Sequence, residues 1–324
     1  MSSIPVAAAR QYRRHAALVL AGVAIVAGAL LPALVSPYWL RILTSMFMYA
    51  ALAQALNVIV GFAGYHAFGN VSWFGSGAYI ASSLILSGFG LPAALLAGTL
   101  GSGLLAFVIG WPLLRLTGHY FAIATVVLSL AAIEITLNLH GITGGAAGVT
   151  LPISELSPAE FYNQVAYMMY GVMVFSCVVV WWLSRSRLGY ALRALRDSER
   201  GAQVMGVNTT LAKMTAWAIS GALTGLAGGI WAYWMTFIEP VTAFDVQITV
   251  KAYIMMLMGG MGTVAGPILG AFFLEFVSTV IWGQFLKVHM MVLGLLIIVV
   301  VMFMPDGFLK YLRHFAARIR RDEP

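Results

Sequence analysis

The chain is 324 residues long, 61% of them hydrophobic and 9% charged, with a mean hydropathy of +0.92. A soluble domain carries about a quarter charged residues, so this composition excludes a soluble enzyme, a nucleic-acid binder and a disordered chain. The net charge of +7 fits the Lys- and Arg-rich cytoplasmic loops of a membrane protein.

About 20 apolar residues cross a bilayer as a helix. The first apolar run, 16–35, follows Arg10, Arg13 and Arg14. It is longer than the apolar stretch of a signal peptide and reads as an uncleaved first helix. Further runs lie at 39–60, 71–88, 91–114, 119–140, 165–183, 213–235, 245–259, 266–284 and 288–304. The expected fold is all-α, a polytopic transmembrane helical bundle of about ten spans. It forms one membrane domain: a cytoplasmic tail and first helix (1–38), a bundle (39–305) and a basic cytoplasmic tail (306–324). Between the second and third runs, Gly61 to Asn70 is glycine-rich and reads as a broken helix. Such a segment must be buried in protein, because lipid does not satisfy irregular backbone.

Charge sets the orientation. With the N-terminus inside, the cytoplasmic segments hold Arg10, Arg13, Arg14, Arg115, Arg185, Arg187, Arg193, Arg196, Arg200, Lys213, Lys310, Arg313, Arg318, Arg320 and Arg321, out of 18 Lys and Arg in all. The 141–164 segment carries Glu155 and Glu160 and no Lys or Arg. Both termini are therefore expected in the cytoplasm.

The largest inside loop, 184–212, is charged and helical in pattern. Leu188, Leu192, Leu195 and Ala202 fall on one stripe. Arg193, Arg196, Asp197 and Arg200 fall on another, with Asp197 spaced to pair with Arg193 and Arg200. Gly206 ends the pattern, and Asn208 to Thr210 can cap the next helix. This predicts an amphipathic helix outside the membrane, lying on anionic lipid or docking a cytoplasmic partner.

No P-loop is present, since none of Lys213, Lys251, Lys287 and Lys310 follows a glycine. No histidine is followed by glutamate, so the zinc-protease motif is missing too, and no metal or cofactor site is expected on this chain. Phe74-Gly-Ser-Gly77 lacks the first glycine of a serine-protease-like Gly-x-Ser-Gly. The single cysteine, Cys177, excludes an internal disulfide. Two carboxylates, Glu134 and Glu275, lie within apolar runs. Asn138 follows Glu134 at i+4, and Ser278 and Thr279 follow Glu275 at i+3 and i+4. Each acid thus sits on a polar stripe expected to face protein or water, either as packing or as part of a translocation path. Gly225 and Gly229 form Gly-x-x-x-Gly, and Gly259, Gly260, Gly262 and Gly266 punctuate a tight turn between spans. Both patterns point to close helix packing.

In this order, Asn57–Gly64, Gly75–Tyr79, Thr143–Gly148, Gly189–Arg196, Glu199–Gly206, Ser220–Gly229 and Gly259–Ala271 resemble the permease subunits of ABC importers for branched-chain amino acids. The likeness is greatest to the longer, LivM-type member of the permease pair. Tyr65 to Ser72 departs from the family pattern. The resemblance implies a bacterial inner-membrane protein with two inverted halves. It also implies a second, related permease subunit, two ATP-binding cassette subunits holding ATP and magnesium, and a periplasmic solute-binding protein. Glu199-x-x-Ala202-x-x-x-Gly206 resembles the loop such permeases insert into a cleft on the ATPase. Ala202 would then allow close approach, Gly206 the exit turn, and Arg193, Arg196 and Arg200 contact with acidic groups at the rim. A permease for urea or short amides, and a secondary transporter using Glu134 and Glu275, are the alternative readings.

Overall fold

The structure, a computed structural model, describes residues 28, 31–32, 35–152 and 156–284, with side chains through 279. The expected first and last spans and both tails lie largely or wholly outside these residues. The central element is α1, Pro37–Leu56, continued without a break by a π-helical segment, Asn57–Phe62. Pro37 starts it where a missing N–H costs nothing. Its apolar residues lie all round the helix, which requires burial on every side, and 78% of its most apolar stretch is buried. Residues 63–70 then form a largely buried irregular stretch that leads into α2, Val71–Leu86. The broken helix expected here is thus enclosed by protein.

Next come α3, Leu91–Leu113, and α4, His119–Asn138. Two short helical turns and a two-residue strand β1, Val149–Thr150, lead to α5, Pro158–Arg185. Helix α5 starts seven residues before its apolar run. A capping box explains this: Ser157 Oγ accepts from the Glu160 N–H at 3.4 Å and Glu160 Oε2 accepts from the Ser157 N–H at 3.0 Å. Such a box fixes a helix start whatever the hydropathy. Two short helices follow, α6 (Arg187–Asp197) and α7 (Glu199–Val204), then α8, Thr209–Met235. Strand β2, Phe237–Ile238, pairs antiparallel with β1, Val149 opposite Ile238. The last elements are α9, Val246–Gly259, and α10, Ala265–Gln284. Among the described residues, the all-α expectation missed only this two-residue pairing.

Among the described residues, five helical stretches are long and apolar enough to cross a membrane: 37–62, 91–113, 119–138, 158–185 and 240–259. Helix α2 and the 265–279 part of α10 are apolar but shorter. Helix α8 packs through small residues. A Cβ at Gly225 would lie 1.8 Å from Ser102 Oγ, and one at Gly77 would lie 2.2 Å from the Gly225 carbonyl. Helices α2, α3 and α8 therefore meet backbone to backbone, as small residues permit.

The connections collect at two ends. Residues 61–66, Leu114, α6–α7 and the 260–264 turn are hydrogen-bonded together at one end. The β1–β2 pair joins 149–150 to 237–238 at the other. Arg115, Arg185, Arg187, Arg193, Arg196 and Arg200 belong to the first end, and Glu160, Glu239 and Asp245 to the second.

Candidate functional site

The basic end is built around α6 and α7. The sequence predicts one amphipathic helix from about 188 to 206; the structure has two. Ser198, extended at φ −161°, breaks them, and its hydroxyl accepts from the Gly201 N–H at 3.1 Å to start α7. Serine prefers such a cap to a helix interior. Helix α6 is capped by Ser186 and buries Leu192 and Leu195. After α7 the chain turns at Gly206, with φ +82°, a conformation that suits glycine. Asn208 Oδ1 then accepts from the Leu211 N–H at 3.0 Å and starts α8, as its sequence pattern predicts.

The side chains of this hairpin fall into two groups. Arg196, Glu199 and Ala202 engage the bundle. Arg196 Nη1 donates to the Gly61 carbonyl at 2.7 Å. Glu199 lies 2.6 Å from Lys213 Nζ and accepts from the Tyr65 hydroxyl at 2.7 Å. Lys213 is buried and uses all three donors, giving one each to Glu199, the Tyr65 oxygen at 3.0 Å and the Leu114 carbonyl at 3.1 Å. Burial alone would raise the Glu199 pKa. The hydrogen bonds from Lys213 and Tyr65 outweigh it and hold the carboxyl below its ordinary value. Burial, then the Glu199 carboxylate, pushes the Tyr65 phenol well above its ordinary value, so it remains a donor.

Ala202 is 3% exposed, packed inward beneath α7. This agrees with the apolar stripe it shares with the buried Leu192 and Leu195, and it corrects the role in close approach to a partner that the resemblance implied. The outer group is Arg200, Val204 and Met205. Val204 and Met205 are 87% and 84% exposed, the most exposed large apolar side chains described. The expected Asp197 ion pairs are not formed. Among the described residues the ion pairs are Lys213–Glu199 and Lys251–Glu275. Arg193 instead donates to the Ser184 carbonyl at 2.8 Å and lies over the Tyr190 ring.

A cleft of about 190 Å³ opens beside this cluster, lined by Gly64, Tyr65, His66, Thr117, Arg196 and Glu199 among others. His66 Nδ1 is 2.7 Å from the Tyr253 hydroxyl. Burial, then His119 and Arg196, lowers the His66 pKa, so the ring is neutral near pH 7.

Beneath the cleft, two glycine-rich connections meet. Asn57 Nδ2 donates to the Thr263 carbonyl at 2.8 Å, and Asn57 Oδ1 accepts from the Gly262 N–H at 2.8 Å. Gln54 Nε2 donates to the Val264 carbonyl. Gly262 has φ +72°, and Gly259 packs against the Gly266 carbonyl so closely that no Cβ fits. Of the turn glycines singled out in the sequence, Gly262 thus bonds the end of α1, while Gly259 and Gly266 pack the turn against itself. Gly229 packs near Ala81 and Leu95.

The two embedded acids are placed differently. Glu275 is buried, 2.6 Å from Lys251, whose ammonium also sits 4.3 Å from the Tyr49 ring centre. Ser278 is buried nearby, and Thr279 Oγ1 donates to the Glu275 carbonyl at 2.8 Å. A cleft of about 320 Å³ lined by Tyr38, Arg41, Ser45, Trp234 and Glu275 opens beside it. Glu134 is exposed on α4, and Asn138 Nδ2 donates to its backbone carbonyl at 2.8 Å. Its stripe, with Ile123, Val127 and Leu130, points away from this chain's own bundle.

Tyr65, Lys213, Asn57 and Gln54 are the site residues that sequence reasoning missed. Lys213 counted only as an inside charge, and Tyr65 lies in the stretch that departs from the family pattern.

The model of the family described as "Branched-chain amino acid transport system / permease component" matches residues 38–301. The high-affinity branched-chain amino acid transport system permease protein LivM of Salmonella typhimurium is 31% identical over 309 residues, covering 87% of this chain and 72% of the relative. LivM of Escherichia coli K12 is 29% identical with the same coverage. The autoinducer 2 import system permease protein LsrC of Salmonella typhi is 27% identical over 236 residues, 66% of this chain and 64% of the relative. No solved structure matches the chain.

Proposed function

The chain belongs to the branched-chain amino acid transport permease family, and from that premise we propose that it is the membrane subunit of an ATP-driven importer. It forms a translocation path for branched-chain amino acids delivered by a periplasmic binding protein. It works beside a second permease subunit and over two ATPase subunits, in a bacterial inner membrane, with about ten spans in two inverted halves and both termini cytoplasmic. It is a transport subunit, with ATP hydrolysed by its partners.

The observation that carries this reading is the α6–α7 hairpin. A chain with no P-loop needs a rigid, exposed link to its motor. This hairpin projects Arg200, Val204 and Met205 from the basic end while Arg196 and Glu199 grip the bundle. A helix lying on lipid would have no need of the grip. The six arginines gathered at this end support a cytoplasmic position for it. The cleft beside Glu275 and Arg41 at the other half of the bundle offers a carboxylate, a guanidinium and aromatic walls. That set suits the ammonium, carboxylate and apolar side chain of a zwitterionic amino acid.

The LsrC likeness favours a second reading, a different small polar solute on the same machinery, as does the urea or short-amide alternative. Competition decides between them. The complex, reconstituted with its ATPases and binding protein, is expected to take up leucine, isoleucine and valine and to be inhibited by each. Uptake of urea alone would select the alternative. An independent secondary transporter would move solute without the ATPase subunits.

A further inference from the structure

We propose that Arg196 and Glu199 are positioning residues that carry the motion of the α6–α7 hairpin onto the π-helical end of α1. They do so through Gly61 and Tyr65, in parallel with the covalent route through Gly206 into α8. The proposal rests on the hairpin's being the docking element.

Both contacts land on the same segment. Gly61 and Tyr65 lie four residues apart, on either side of the start of the broken helix. The carbonyls of Ile59 and Val60 are taken by the Tyr65 and Gly64 N–H groups at 3.2 and 3.0 Å, and the Gly61 carbonyl takes the Arg196 guanidinium. The helix end is therefore finished by the docking hairpin itself. Gly64, at φ +76°, packs against the Arg196 side chain, and a Cβ there would lie 3.0 Å from Arg196 Cγ. A side chain at residue 64 would therefore crowd the arginine.

The segment receiving these contacts is able to pass a displacement on. A π-helix is a rare, short register that recurs at functional sites. Here it bonds through Asn57 to Gly262 and Thr263. A shift at 57–62 therefore pulls on the turn between α9 and α10, the elements that hold Lys251 and Glu275. The covalent route is tied as well: the Val207 N–H bonds back to the Ala202 carbonyl at 3.0 Å, and Gln203 Nε2 donates to Thr209 Oγ1 across Gly206 at 3.1 Å. That route ends on α8, whereas the Arg196 and Glu199 contacts end on the broken segment, and their charge-assisted hydrogen bonds are about twice as strong as neutral ones.

The test measures stimulated ATPase activity and ATP-driven leucine uptake in the same proteoliposomes, with the full complex. Arg196→Lys, Tyr65→Phe and the double variant Glu199→Gln/Lys213→Met are compared with the wild type. Tyr65→Phe removes one hydroxyl and keeps the ring, so it stands even if another variant folds poorly. The expected result is ATPase activity within about twofold of wild type with uptake per ATP reduced about tenfold, a size ordinary for coupling between sites. Unchanged uptake per ATP in Arg196→Lys and Tyr65→Phe would overturn the proposal. A parallel fall of ATPase activity and uptake would also overturn it, because the residues would then be docking contacts. A wild-type complex that shows no ATP-driven uptake would instead strike down the functional reading, and the proposal with it.

Discussion

The Glu199 carboxylate and the Lys213 ammonium, 14 residues apart in sequence, meet at 2.6 Å where the α6–α7 hairpin joins the bundle. The lysine side chain is 6% exposed and the glutamate 29%. Removing the carboxylate leaves a buried cation with two neutral partners. Glu199→Gln is expected to cost about 3 kcal/mol, the lower end for breaking a buried pair. Lys213→Met added to it should restore most of the loss. Thermal unfolding of the purified protein in detergent checks both, and an equal midpoint for Glu199→Gln and wild type would contradict the pairing.

The same carboxylate makes the tie pH-dependent. Its folded pKa lies below the ordinary value of 4.5. Its stabilisation is therefore fully present above that value and is lost as pH falls through the folded pKa. A spin label at Met205→Cys should report an unchanged hairpin between pH 7 and pH 5.5, and greater mobility only in the acid range below about 4.5. Loosening already near pH 6 would assign the transition to another group.

Gly206→Val and Ala202→Trp should fail for different reasons. Valine at φ +82° meets no steric neighbour but adopts a left-handed backbone, at about 1–2 kcal/mol or more. Tryptophan at the buried Ala202 has no room, so overpacking of about 1–3 kcal/mol is expected and α7 should lift from the bundle. Both variants should insert and express, and both should lose stimulated ATPase activity and uptake together. Normal uptake with both present would reject the hairpin as the docking element.

Orientation follows from the separation of charge between the two ends. Ala194, exposed on α6, should be cytoplasmic, and Ala159, exposed at the start of α5, periplasmic. With Cys177 replaced by serine, an impermeant thiol reagent applied to intact spheroplasts should label Ala159→Cys and spare Ala194→Cys. The reverse pattern would invert the topology.

Most of the helices were legible because apolar length is a one-dimensional property. The runs at 71–88, 91–114 and 245–259 coincide with α2, α3 and α9 to within two residues. Where the start of α5 moved, a local polar signal at Ser157 and Glu160 overrode hydropathy. Gly206 and the 259–266 glycines were legible because their backbone conformation or close packing admits little else. The Tyr65–Lys213–Glu199 cluster was not, because Tyr65 and Lys213 are 148 residues apart and meet only when α1 and α8 pack. Ala202 was legible as part of the apolar stripe it shares with Leu192 and Leu195, all three buried; the resemblance, not the periodicity, turned it toward a partner, and the break at Ser198 was hidden because periodicity alone reads the helix as continuous. The β1–β2 pair is two residues long on each side and carries no periodic signal.

The most direct test is leucine uptake into proteoliposomes holding this chain, its partner permease and the ATPase subunits, with binding protein outside and ATP inside. Accumulation that requires ATP, and that disappears when Gly206→Val replaces the wild-type chain, is the predicted result. Leucine accumulation that proceeds without the ATPase subunits, or that persists unchanged in Gly206→Val, would contradict an importer driven through the α6–α7 hairpin.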